Sequence, residues 1–200
     1  MDYPEYVKID DKKYKINTDF RVAIECNRIA EDETICDTER VLGILYTLFG
    51  EDGINTPSHY EKLLELAQKY LLCGKEYDIK ANEKQDMDFI EDYSYIKTSF
   101  RSDYGINIDS EHIHWWEFYD LLNGLSNSEL GNCCVLNRIR NLRNYDTSKI
   151  KDENEKQKIN EAKEQVALKK YKKPKKQATD KQLESAMEFI NALKGVDINE

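Results

Sequence analysis

Glycine and proline are scarce in this chain, 8 and 3 among 200 residues. That leaves too little punctuation for many short strands joined by tight turns, and suits a few long helices. No apolar run approaches the ~18 residues that a membrane span requires. The opening Met1-Asp2-Tyr3-Pro4-Glu5 lacks the basic start and apolar core of a secretory leader. The expectation is a cytoplasmic protein with no membrane partner. The cysteines Cys26, Cys36, Cys73, Cys133 and Cys134 are odd in number and scattered, which fits reduced thiols better than a disulfide framework.

What the chain has in quantity is charge: 34% of residues are charged, 40% are hydrophobic, and the formal net charge is −9. Residues 1–150 hold 18 basic against 29 acidic residues, and residues 151–200 hold 12 against 10. An acidic body repels nucleic acid, whereas a basic end suits an acidic partner. A compact chain of this length buries roughly 70% of its unfolded surface, so it folds without disulfides or metal.

The amino-terminal stretch reads as a hairpin. Tyr6–Ile9 and Tyr14–Ile16 alternate apolar and polar across Asp10-Asp11-Lys12-Lys13. Such a hairpin is marginal alone, so its Val7/Ile9 side is expected to pack on helices. A first helix follows Thr18-Asp19, with Phe20, Ala23, Ile24 and Cys26 on its apolar side. Asp37 is the expected cap of a second, carrying Leu42 and Leu45 and stopping at Gly50. A third runs from Thr56-Pro57 to Gly74 through Leu63, Leu64 and Leu71. After a polar loop, roughly 75–85, a fourth is expected from Asp86 and Asp88 through Ile90, Ile96 and Phe100 to Gly105. A fifth, from Asp109-Ser110, carries Trp115, Tyr119 and Leu122 to Gly124, and Ser126 with Glu129 has capping-box spacing for a sixth.

The expected fold class is therefore mainly α: about six helices with a small N-terminal β-hairpin and a C-terminal helical extension. Residues 1–148 read as the helical body. Residues 149–176 read as a charged helix and lysine-rich linker, and residues 177–200 as an amphipathic helix with Leu183, Ala186, Met187, Ile190 and Leu193 in one stripe. The expected core is Phe20, Leu42, Leu45, Leu63, Leu64, Leu71, Ile90, Ile96, Phe100, Trp115, Tyr119 and Leu122.

No catalytic centre stands out. Neither GxGxxG nor GxxxxGK[ST] occurs, and Gly124-Leu125-Ser126-Asn127-Ser128 breaks the GxSxG elbow at its last position. His112 and His114 with Cys133 and Cys134 are the only group resembling metal ligands, but adjacent cysteines suit one tetrahedral ion poorly. No catalytic, cofactor or metal residue is assigned. Trp115 and Trp116 lie ~100° apart on a helix, so one is expected in the core and the other half-exposed. The lysine run 169–176 interleaves only Tyr171, which favours a solvated linker over a nucleic-acid site.

Three stretches carry a resemblance: Met87–Phe100 (MDFIEDYSYIKTSF), Asp103–Ile108 (DYGINI) and His114–Leu125 (HWWEFYDLLNGL). Together with Tyr14–Arg21 they resemble the gp-fifteen family of tailed-phage and prophage proteins. That family pairs a DFxxDxxYIxxSF-like helix with a YGIDL turn and an HWWxFxxLxxGL helix. The matching motif positions are His114, Trp115, Trp116, Phe118, Leu122 and Gly124. Asn107 departs from the commoner Asp, Cys133-Cys134 stand where aliphatics are usual, and residues 179–194 have no counterpart. The resemblance implies a tail assembly chaperone that holds the tape-measure protein soluble, and no catalytic residues. The expected partners are thus tape-measure protein, tail-tube protein or both, with self-association a further expectation and nucleic acid disfavoured. Trp116, Leu183, Met187, Ile190 and Leu193 are the expected interaction residues. A structural virion component and a nucleic-acid-binding regulator are the alternatives.

Overall fold

The computed structural model describes residues 3–75, 85–127 and 133–169. Glu129, the lysine run from Lys170 onward and the stripe Leu183–Leu193 lie outside them. The described residues divide into two compact units, 3–75 and 85–169, with the break after Lys75 inside the stretch 1–148 that the sequence reading treats as one body. Eight α-helices and one two-stranded sheet occur among the described residues, so the chain is mainly helical with an N-terminal hairpin.

In the first unit, β1 (Tyr6–Ile9) and β2 (Lys12–Lys15) pair antiparallel, Tyr6 opposite Lys15 and Lys8 opposite Lys13. The turn is shorter than the four residues expected. Asp10 takes a φ of 52°, a left-handed conformation that Asp tolerates, and Lys12 and Lys13 join the strand. Ile9 and Tyr14 are buried while Tyr6, Lys8, Lys13 and Lys15 face out. The Tyr14 hydroxyl meets His59 Nδ1 at 2.7 Å, and Lys12 Nζ donates to Thr56 Oγ1 at 3.0 Å.

Helix α1 (Phe20–Glu31) is capped by Asp19 and buries Phe20, Ala23, Cys26 and Ile29. Helix α2 (Asp37–Phe49) is capped one residue earlier than expected, so that Asp37 is its first residue. Cys36 is the cap, its Sγ accepting from the Glu39 N–H while the Glu39 carboxylate accepts from the Cys36 N–H. Gly50 ends α2 with a φ of 66°, a conformation that favours glycine. A short helix, α3 (Glu51–Ile54), follows unanticipated. A 3₁₀ turn at Pro57–His59 then leads into α4 (Tyr60–Leu71), with Pro57 at the first position as expected. Thr56 does not cap it, because its hydroxyl accepts from Lys12 instead. Phe20, Leu45 and Leu63 are in the core as expected. Leu42, Leu64 and Leu71 are only half-buried. Each sits to the side of its helix's buried stripe, whose members on α4 are Leu63, Ala67 and Tyr70.

In the second unit, α5 (Tyr93–Tyr104) begins later than Asp86 and Asp88 suggested. Asp88 Oδ1 instead accepts from the N–H groups of Ile90 and Glu91, each at 2.7 Å, a local turn that competes with helix. Ile90 is thereby turned outward and is 53% exposed, not core. Gly105 closes α5 at a φ of 72°. Asn107, Asp109 and Ser110 likewise form a turn, so α6 (Trp115–Asn123) starts at the cap His114 and not at Asp109. The helix expected from Ser126 is described only from Val135 onward, and Ser126 itself is tied down by its backbone. Its N–H donates to Asp103 and its carbonyl accepts from the Cys134 N–H. Cys134 caps α7 (Val135–Asn144), and Asp152 caps α8 (Glu153–Gln165), which buries none of its residues. Ile96, Phe100, Trp115 and Leu122 are core as expected, while Tyr119 is half-buried on the flank of α6. No helix among the described residues is long and apolar enough to cross a membrane.

Candidate functional site

The segment His114–Leu125 carries the sequence motif, and its geometry follows from helix periodicity. His114 is extended at φ −60° and ψ 139°, and its Nδ1 accepts from the Trp116 N–H at 3.1 Å. The ring is thus the acceptor that Ser or Asp supplies in most caps. Trp115, Phe118 and Leu122, at i, i+3 and i+7, turn inward, Phe118 with no exposure at all. Trp116 and Tyr119 lie beside that stripe and are half-buried. One tryptophan is core and its neighbour borders the surface.

The inward face is an aromatic stack. Phe118 lies parallel to Phe100 of α5, centroids 5.0 Å apart at 17°, and to Trp115 at 5.9 Å and 20°. Phe89 meets Trp115 edge-on at 5.8 Å, and Tyr104 meets Phe100 edge-on at 5.8 Å. Offset and edge-to-face pairs of this kind each add ~0.5–1.5 kcal/mol beyond their area. Gly124 has a packing cause. A Cβ there would stand 2.9 Å from the Tyr104 hydroxyl, which is fixed by donating to the Leu121 carbonyl at 2.8 Å.

The stretch Met87–Phe100 includes Asp92 and Ser99, but sequence reasoning gave neither a role and missed their partners on α7. Arg143 and Asp92 form a buried ion pair at 2.7 Å. Ser99, fully buried, accepts the Leu136 N–H at 3.0 Å. Both had a signal: Asp92, Ile96 and Ser99 share one face of α5 and its entry, and Arg143 is seven residues after the buried Leu136 on α7. A charge on the apolar face of a helix marks a buried pair.

The residues weighed as metal ligands have other work. Cys134 Sγ accepts from the Asn137 N–H at 3.4 Å, His114 Nδ1 is occupied by its cap, and Cys133 Sγ approaches Asn127 Oδ1 at 3.6 Å. Among the described residues, no three His, Cys, Asp or Glu groups are placed to hold one ion. The arrangement therefore offers apolar and aromatic surface at the rim of a packed core. Leu183, Met187, Ile190 and Leu193 are not among the described residues.

No curated protein and no solved structure matches the chain significantly. The family model described as Bacteriophage Gp15 protein matches residues 2–168. That span holds the hairpin, the eight helices found among the described residues and the HWW segment, and the chain belongs to the bacteriophage Gp15 family.

Proposed function

We propose that this phage protein is a tail assembly chaperone. It binds tape-measure protein, tail-tube protein or both during tail morphogenesis, works in the host cytoplasm and has no catalytic step of its own. The family span over residues 2–168 carries the reading, through the tail-assembly role that the sequence resemblance implies for members. The surface is consistent with it. Trp116 and Tyr119 are half-buried beside the aromatic stack, and Tyr46, Ile90 and Tyr145 are exposed, at 54%, 53% and 49%.

Co-expression with the tape-measure protein tests the reading. The chaperone keeps that client soluble and co-purifies with it, and Trp116→Ala weakens the association. A client that stays insoluble and unbound, with the tail-tube protein also unbound, would sink it. Mass spectrometry of purified virions addresses the alternative. A chaperone is absent from particles, whereas a structural tail component is present in stoichiometric amount.

A further inference from the structure

The hairpin divides its charge by face. Pairing puts Tyr6 opposite Lys15 and Lys8 opposite Lys13, so these four share the outer face, and all four are exposed. The inner face carries Val7, Ile9, Lys12 and Tyr14, and Lys12 is already engaged with Thr56 and the Tyr14 ring. No described acidic side chain pairs with Lys8, Lys13 or Lys15. Like charges directly opposite one another on a sheet are destabilising, and a chain with 39 acidic residues has the means to neutralise them. Instead it keeps three unpaired lysines and a tyrosine on one small ribbon of a protein whose net charge is −9.

We propose that this outer face, Tyr6 with Lys8, Lys13 and Lys15, docks an extended acidic segment of a partner protein bearing carboxylates on alternate residues. Lys13 and Lys15 are two apart on β2, hence roughly 7 Å apart along the strand. Alternate carboxylates of an extended segment repeat at the same interval, so each meets one ammonium. Lys8, across the ribbon, reaches the same segment from the other side, and the Tyr6 ring offers apolar contact at its end. Nucleic acid fits less well. Three charges make a small footprint on a phosphate backbone, and the acidic remainder of the chain repels a long polyanion. The inference does not depend on the chaperone reading.

The test uses the full chain and a fluorescein-labelled peptide alternating Glu and Thr, followed by fluorescence anisotropy at low and at physiological salt. The peptide binds, more weakly as salt rises. Replacing Lys8, Lys13 and Lys15 together by Gln weakens binding on the order of tenfold, the sum of three exposed ion pairs. Replacing them by Arg retains it, and Tyr6→Ala weakens it to a smaller degree. Circular dichroism checks that each variant is folded, and Lys13→Gln alone serves if the triple variant is not. Equal affinity of the Gln and wild-type proteins overturns the proposal. So does tighter binding of a single-stranded oligonucleotide than of the peptide, or a triple variant whose only change is its oligomeric state in sedimentation.

Discussion

Arg143 grips Asp92 with two parallel bonds, Nη1 to Oδ2 and Nη2 to Oδ1, both 2.7 Å, with the side chains 9% and 1% exposed. The same guanidinium donates through Nε to the Val166 carbonyl at 2.6 Å and through Nη1 to the Asp86 carbonyl at 2.8 Å. One side chain on α7 thus fixes the entry to α5 and the end of α8. The planar fork of arginine makes this possible, and lysine cannot reproduce it.

Breaking that pair from one side strands a buried charge. Arg143→Leu is expected to cost ~3–5 kcal/mol, and Asp92→Leu with Arg143→Leu less than the sum of the single changes. Urea denaturation of the single and double variants measures both. Additive losses would mean that the two residues act separately.

The two closely packed glycines differ in what surrounds them. A Cβ at Gly53 would meet the Leu45 carbonyl at 2.5 Å and Phe49 Cβ at 2.9 Å. Backbone must move, so Gly53→Ala should lose ~1–3 kcal/mol. At Gly124 the obstacle is the Tyr104 hydroxyl, the end of a side chain. Gly124→Ala should lose less, and Tyr104→Phe should recover part of that loss by making room. Thermal melts of the three variants decide it. Equal tolerance at both positions would refute the distinction.

Thiol reactivity separates buried from accessible cysteines. Burial, reinforced by the nearby Glu25 carboxylate, pushes the Cys26 thiol up to about 12, so almost none is thiolate at pH 8. Cys26 and Cys134 are buried, while Cys36, Cys73 and Cys133 are partly exposed. Native-state labelling followed by mass spectrometry should modify the latter three and spare the former two until the chain is denatured. Rapid labelling of Cys26 in folded protein would contradict its placement in the core of the first unit.

Helices with ordinary punctuation were legible in the sequence: Asp19 before α1, Gly50 after α2, Pro57 before α4 and Gly105 after α5. The hidden starts have a common cause. Cys36 and Cys134 cap α2 and α7 with sulfur at 3.5 and 3.4 Å, a role that propensity assigns to Ser, Thr, Asp and Asn. At α5 and α6 the favoured residues were present but used elsewhere, Asp88 in its own turn and Asp109 with Ser110 in a turn closed on Asn107. Local competition of that kind is invisible without the tertiary contacts that select between the two outcomes. Within the motif segment the burial of Trp115 followed from spacing, whereas the reason for Gly124 lay in Tyr104, on a different helix.

A last prediction concerns acid. Burial raises the Asp103 carboxyl, but the bonds it accepts outweigh that: the backbone N–H and side chain of Ser126, then the side chain of Ser102. Its pKa is held below the ordinary 3.8. The Ser126 N–H donates to Oδ2 at 2.8 Å, joining the last turn of α5 to the loop that follows α6. Because the folded pKa is depressed, the link contributes stability that is fully present above the ordinary carboxylate range. That contribution fades as pH falls below about 4 and through the lowered folded value. Asp103→Asn should therefore narrow the gap from wild type as pH is lowered, with the two proteins differing most near neutrality. Denaturation midpoints across that range, with the Ser126 amide shift followed by NMR, supply the check. A gap that does not change with pH, or a Ser126 amide that does not follow the carboxyl's titration, would show that this contact does not govern the acid response of the α5–α6 corner.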